Sequence, residues 1–177
     1  MKNFINYLLI FLTKIINQLN KLKYYNSPLK EPIFLIAMSK SASSFLSDSL
    51  PKGLNINYLP NVTGGAEPNF LLNQSMIEIV YKKNLFADTH AICNDINKLI
   101  IKKYFKKIIV HVRDPRQACL SYLHNILRNQ KNDKILNDLL FLPNDFFDKN
   151  FNDQLDFIID NRMQFNVKWI QSWINFS

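Results

Sequence analysis

Two short stretches of this chain hold the residue types that bind anionic groups. The first is Ser39-Lys40-Ser41-Ala42-Ser43-Ser44. Lys40 brings a full positive charge, and Ser43 and Ser44 bring hydroxyl donors. Where such a loop joins a strand to a helix, backbone N–H groups converge on one point and the helix dipole adds partial positive charge. The second is His111-Val112-Arg113-Asp114-Pro115-Arg116, followed by Ser121-Tyr122-Leu123-His124. A guanidinium at a strand end can grip a phosphate through two parallel hydrogen bonds. Ser121 lies eight residues beyond Arg113, about two helical turns along. Taken singly, neither stretch decides anything, because serine-rich turns cap helices and an Arg-Asp pair can staple a turn. The G-x-x-x-x-G-K-[ST] phosphate loop occurs nowhere in the chain.

Both stretches need strands to hold them, because ligands of open α/β sheets bind beyond the carboxyl ends of the strands. Ile33 to Met38 is a continuous apolar run of strand length, as expected of a parallel strand buried on both faces. Lys107 to Val112 is a second such run, and Leu85 to His90 predicts a shorter strand. Phe45 and Leu46 open a helical pattern with Leu50. Residues 51–70 carry prolines and glycines and read as a loop-rich connection. A helix is predicted over Leu71–Tyr81. Asn94 or Asp95 can cap another running to Tyr104. Pro115 suits the first turn of a helix to about Asn129. Residues 131–152 read as polar and irregular, before a last helix from about Gln154 to Ile174. Alternating strands and helices predict a three-layer α/β/α domain with a parallel sheet containing residues 33–38 and 107–112. Lys40 and Arg113 should then face one shared cleft at its carboxyl edge.

The chain has 177 residues and is 47% hydrophobic, enough for one domain over residues 29–177. An N-terminal helix and linker would occupy residues 1–28. In residues 1–25, Leu8, Leu12, Ile15, Ile16, Leu19 and Leu22 recur at helical spacing. The apolar run there is too short to span a bilayer and no small-residue cleavage site follows. This helix either docks on the domain or makes peripheral contact with a membrane surface. The net charge of +8 suits a polyanionic partner, although paired lysines also make solvated helix faces. Cys93 and Cys119 cannot form a disulfide framework and read as buried thiols. His90, His111 and His124 lack metal-ligand spacing, so no metal site is expected. His111 reads as a core residue inside its strand and His124 as a packing residue.

Together the motifs resemble those of sulfotransferases that use 3′-phosphoadenosine 5′-phosphosulfate (PAPS). Ser39 to Leu46 is similar to the P-K-S-G-T-T-W-L phosphosulfate loop of that family. Val112 to Arg116 with Ser121 to His124 resembles the family's 3′-phosphate motif, V-R-[DN]-P-[KR]-D followed by S-x-x-x-H. Thr89-His90 resembles the K-T-H segment that carries the catalytic base. The resemblance covers residues 33 to about 175. It implies a P-loop nucleotide-kinase-like sulfotransferase fold in a cytoplasmic or membrane-associated protein. It implies sulfuryl transfer from PAPS, without a metal, to a hydroxyl or amine of a small-molecule or glycan acceptor. No nucleic-acid partner is implied. Lys40 and His90 would be catalytic. Lys40, Ser41, Ala42, Ser43, Ser44, Phe45, Arg113 and Ser121 would bind the nucleotide.

The chain departs from the family pattern at several points. Ser39 replaces Pro, Ala42 replaces Gly and Phe45 replaces Trp. Ala42 should fit the loop only with negative φ. Asp88 replaces a Lys, which would remove a positive contact. Family members continue into a further strand and an R-K-G-x-x-G loop over the nucleotide, whereas this chain ends at Ser177. The expectation is therefore an incomplete domain, either active or reduced to a nucleotide-binding module. Trp169 and Trp173 should form a helical stripe without its partner strand.

Overall fold

A computed structural model describes residues 30–60, 62–64, 70–129 and 141–176. The expected N-terminal helix of residues 1–25 lies outside the described residues, as do residues 65–69 and 130–140.

The fold is mixed α/β, built on a three-stranded parallel sheet. Its strands are β1 (Ile33–Ala37), β4 (Phe86–Thr89) and β5 (Ile109–His111) in the order β4-β1-β5. Leu35 of β1 pairs with Asp88 on one side and Ile109 on the other, so the two long apolar runs are neighbours in one sheet as expected. Successive parallel neighbours need crossovers, which helices supply. Here α1 (Ser43–Gly53) and α2 (Gln74–Lys82) lie between β1 and β4, and α3 (Asp95–Tyr104) lies between β4 and β5. Beyond β5 come α4 (Pro115–Asn129), a 3₁₀ turn (Phe146–Asp148) and α5 (Phe151–Ile174).

Alternation along β1 divides the core. Phe34, Ile36 and Met38 face a large cluster with Ile77 and Val80 of α2, Ile101 of α3 and the tryptophans of α5. Leu35 and Ala37 face the other way, onto Leu46 and Leu50 of α1. Helices therefore cover both faces, which is why β1 carries no polar residue. Phe34 stacks on Phe105, with ring centroids 4.5 Å apart, and burying such a side chain stabilises by about 1.5–3 kcal/mol. A separate cluster joins Cys119, Leu123 and Ile126 of α4 to Ile158 of α5.

Helix starts follow local capping chemistry. Asn94 accepts from the Asn97 N–H at 2.8 Å, fixing the start of α3 at Asp95. Asn73 caps α2 in the same way, which shortens the helix expected over Leu71–Tyr81 and releases Leu71–Leu72 as β3, paired antiparallel with β2 (Thr63–Gly64). The described residues of the 51–70 connection hold more regular structure than its composition predicts. Helix α1 continues through Pro51 to Gly53, and Tyr58, itself outside any strand, makes a parallel bridge to Phe86 at the start of β4.

Trp169 and Trp173, expected as a helical stripe without its partner strand, pack instead on the segment after β4. Both are buried in the main core, and both indole N–H groups donate to the Ala91 carbonyl, at 3.0 and 3.1 Å. One turn apart on α5, they close around the segment that follows β4. The structure also corrects the expectation of two buried cysteines: Cys119 is buried, but Cys93 is only half-buried and its Sγ–H donates to the Ser172 carbonyl at 3.2 Å.

Candidate functional site

The loop after β1 is tightly folded. Residues Lys40 and Ala42 have positive φ, 62° and 69°, while Ser41 and Ser43 between and after them do not. Left-handed residues in such a turn are a feature of anion-binding backbone nests. Here the Ser41 N–H is engaged by the Met38 carbonyl, leaving those of residues 42–44 as the candidate donors. The expected negative φ at Ala42 is thus corrected. The left-handed conformation is adopted despite the Cβ, at a cost of about 1–2 kcal/mol. Ala42 is also the N-cap of α1, and no side chain caps that helix start. The first turn of α1 holds no acidic residue either, so its positive end is uncompensated.

Ser41 adds the sharpest feature. It is 3% exposed, and its Oγ is the buried side-chain polar atom that lacks a hydrogen-bond partner among the described residues. Its backbone is satisfied: the N–H donates to the Met38 carbonyl and the carbonyl accepts from the His111 ring. An unpartnered buried hydroxyl is costly, and it lies in the loop between β1 and α1, one residue after Lys40.

Two histidines brace this region from the flanking strands. A carbonyl can only accept, so Nε2 of His111 donates to the Ser41 carbonyl, at 2.6 Å. Nδ1 of His90 donates to the Ala37 carbonyl, at 2.7 Å. The neutral His90 ring therefore carries its lone pair on Nε2, the tautomer a proton acceptor needs. His111 is not the core residue expected from its strand position. It is half-buried and turned onto the loop, a role visible only once β5 is placed beside β1.

Arg113, just past β5, donates from Nη1 to the Lys40 carbonyl at 3.1 Å and from Nε to Gln117 Oε1 at 3.3 Å. Asp114 does not compete for it. Its carboxylate accepts from the Arg116 backbone N–H at 2.9 Å and pairs with the Arg116 guanidinium at 2.6 Å, which together hold its pKa down at about 2. The Arg-Asp staple of this turn therefore uses Arg116 and leaves Arg113 directed at the loop.

Lys40, Arg113, Gln117, Ser121, His124 and Arg128 line one open cleft of about 570 Å³ at the carboxyl edge of the sheet. Lys40 and Arg113 share it as expected, and Ser121 faces it two turns along α4. His124, expected to be a packing residue, also reaches the cleft, with its ring beside Phe151. Ser43 is buried, whereas Ser44 and Phe45 are exposed, Phe45 to 69%. His90 is not among the residues lining this cleft; it lies across β1, with its ring 6.0 Å from that of Phe70. Asp88 accepts a hydrogen bond from the Tyr58 hydroxyl. Burial and this carboxylate push the Tyr58 pKa upward.

Sequence reasoning missed Asn97. Fully buried, it accepts from the Leu72 N–H and donates to the Phe70 and Ile92 carbonyls, tying the segments on either side of His90 together. An Asn at helical spacing from Ile100, Ile101 and Tyr104, on the inward stripe of α3, was the available signal. No family model, curated protein or solved structure matches the chain. Among the described residues, no helix is long and apolar enough to cross a membrane.

Proposed function

We propose that this chain is a PAPS-dependent sulfotransferase with a P-loop-like sulfotransferase fold, acting on a hydroxyl or amine of a small-molecule or glycan acceptor. The observation that carries the reading is the shared cleft, which Lys40 of the loop after β1 lines together with Arg113 just past β5 and Ser121 of α4. Its volume lies within the range of roughly 300–1,000 Å³ usual for small-molecule sites. The unpartnered Ser41 hydroxyl supports an oxyanion ligand in the loop.

In this mechanism the acceptor oxygen or nitrogen attacks the sulfur of PAPS in line. The bond from sulfur to the bridging oxygen breaks, and its electron pair leaves on the 5′-phosphate. The acceptor's proton passes to Nε2 of His90, a general-base role typically worth about 10²–10⁴-fold. Lys40 and the amides of residues 42–44 neutralise charge on the phosphosulfate and the departing phosphate. Arg113 and Ser121 hold the 3′-phosphate, so they contribute affinity and orientation.

One observation favours a second reading, a nucleotide-binding module without transfer: His90 is absent from the lining of the cleft. Thermal melting with two nucleotides tests both. The product 3′-phosphoadenosine 5′-phosphate should raise the melting temperature more than adenosine monophosphate does. A hundredfold excess over its dissociation constant adds about 2.7 kcal/mol. Arg113→Ala should erase that preference, and His90→Ala should keep it while abolishing transfer to acceptor mixtures. Equal shifts with both nucleotides would remove the 3′-phosphate site. A preference without transfer by the parent chain would select the module.

A further inference from the structure

We propose that the amino edge of the sheet, opposite the cleft, is a docking surface for an anionic lipid bilayer. Helices α2 and α3 end there with Lys82-Lys83 and Lys102-Lys103, and Lys106-Lys107 lead into β5. Lys30 leads into β1 beside them, and all seven lysines are exposed. These segments meet in space: Lys30, Pro32, Tyr81, Asn84, Phe105 and Lys106 surround one recess of about 210 Å³. The rings of Tyr81 and Tyr104 lie 5.6 Å apart, joining the ends of α2 and α3.

The charge is concentrated here. Two carboxylates answer the seven lysines, Glu31 at 3.4 Å from Lys106 and Glu78 at 2.6 Å from Lys82. Residues 1–29, which precede Lys30 in the sequence, carry four lysines and no acidic residue. Together the two regions hold more positive charge than the whole chain's net +8, so the rest of the molecule is close to neutral.

The type of cation points to the partner. All four arginines, Arg113, Arg116, Arg128 and Arg162, lie between the end of β5 and the middle of α5, and none lies on this edge. Arginine forks suit individual phosphates in fixed geometry, whereas lysines are hydrated point charges suited to a diffuse field such as that of an anionic leaflet. The sequence of residues 1–29 also alternates leucine and isoleucine with lysine at helical spacing, a composition that suits a bilayer interface better than a nucleic acid. The proposal is independent of the activity assigned to the cleft.

Co-sedimentation of the full chain with vesicles tests it. Vesicles containing phosphatidylserine should bind at least roughly tenfold more tightly than vesicles of phosphatidylcholine alone, and added salt should weaken the binding. The triple variant Lys83→Gln, Lys106→Gln, Lys107→Gln should lose about tenfold or more. Removing the same charge elsewhere, by Lys98→Gln, Lys149→Gln and Lys168→Gln, should change affinity less than threefold or so. The proposal is overturned if both triple variants bind alike, or if neutral vesicles bind as well as anionic ones. Tighter binding of an RNA or DNA oligonucleotide than of anionic vesicles at the same salt would replace the bilayer with a nucleic acid.

Discussion

Arg113 donates to the backbone carbonyl of Lys40 at 3.1 Å, so two cations that could have repelled each other are tied together through the main chain. The bond closes the loop after β1 against the loop after β5. Arg113→Ala should therefore cost stability as well as nucleotide preference. A hydrogen bond from a charged donor contributes about 1.5–3 kcal/mol, and partial exposure reduces this to about 1 kcal/mol. Urea unfolding at neutral pH measures the loss, and an unchanged midpoint would show that the bond is not formed in solution.

Ser41→Ala should move stability and binding in opposite directions. Removing a buried hydroxyl that has no partner relieves a desolvation cost of about 1–3 kcal/mol, so the ligand-free variant should be equal to or more stable than the parent. The same substitution should reduce the melting shift produced by 3′-phosphoadenosine 5′-phosphate. A destabilised variant with an intact ligand shift would show that the hydroxyl serves the fold and not an anion.

Position 42 tests the loop's geometry. At φ 69° a β-branched side chain is strained far more than alanine, so Ala42→Val should destabilise by about 1 kcal/mol or more. Ala42→Gly removes the strain but adds chain entropy of about 0.4–1 kcal/mol, so it should be near neutral or mildly stabilising. Chemical denaturation of the pair is sufficient. Equal stability of the valine and glycine variants would refute the left-handed conformation.

Acid should act through Asp114. Its folded pKa of about 2 lies below the ordinary value near 3.9, so its stabilising contribution is present above pH 4 and disappears as pH falls toward 2. Asp114→Asn should flatten the stability profile in that window and leave it unchanged near neutrality relative to its own plateau. Titration of the Asp114 carboxyl by NMR should place its midpoint well below 3.9. A midpoint at the ordinary value would remove the Arg116 pairing.

The parts of the fold legible in the sequence were those governed by local rules. Ile33–Ala37 and Ile109–His111 declared themselves as apolar runs, Pro115 marked the start of α4, and Asn94 marked that of α3. The meeting of Lys40, Arg113 and Ser121 followed from placing two strand ends side by side. What escaped depends on neighbours distant in sequence. The core face met by Trp169 and Trp173 comes from the segment after β4, and the turn of His111 onto Ser41 needs β5 beside β1. The positive φ at Ala42 reflects a loop held from both sides, a constraint that the type of a single residue does not encode. Pro51 misled because it was counted among the prolines and glycines of a loop-rich connection, while α1 carries it within its last turn.

Trp169 and Trp173 are the chain's two tryptophans, and both bind the carbonyl of Ala91, the residue that follows His90. The protein consequently has a built-in optical probe with a single address. Its ultraviolet emission arises where β4 ends, and a ligand that shifts His90 would change the polarity around both indoles at once. Tyr122 and the cluster between α4 and α5 contain no indole, so loosening there would reduce helical circular dichroism while leaving the emission maximum in place. The two spectra together separate motion at the histidine from motion at the far wall of the cleft without any added label.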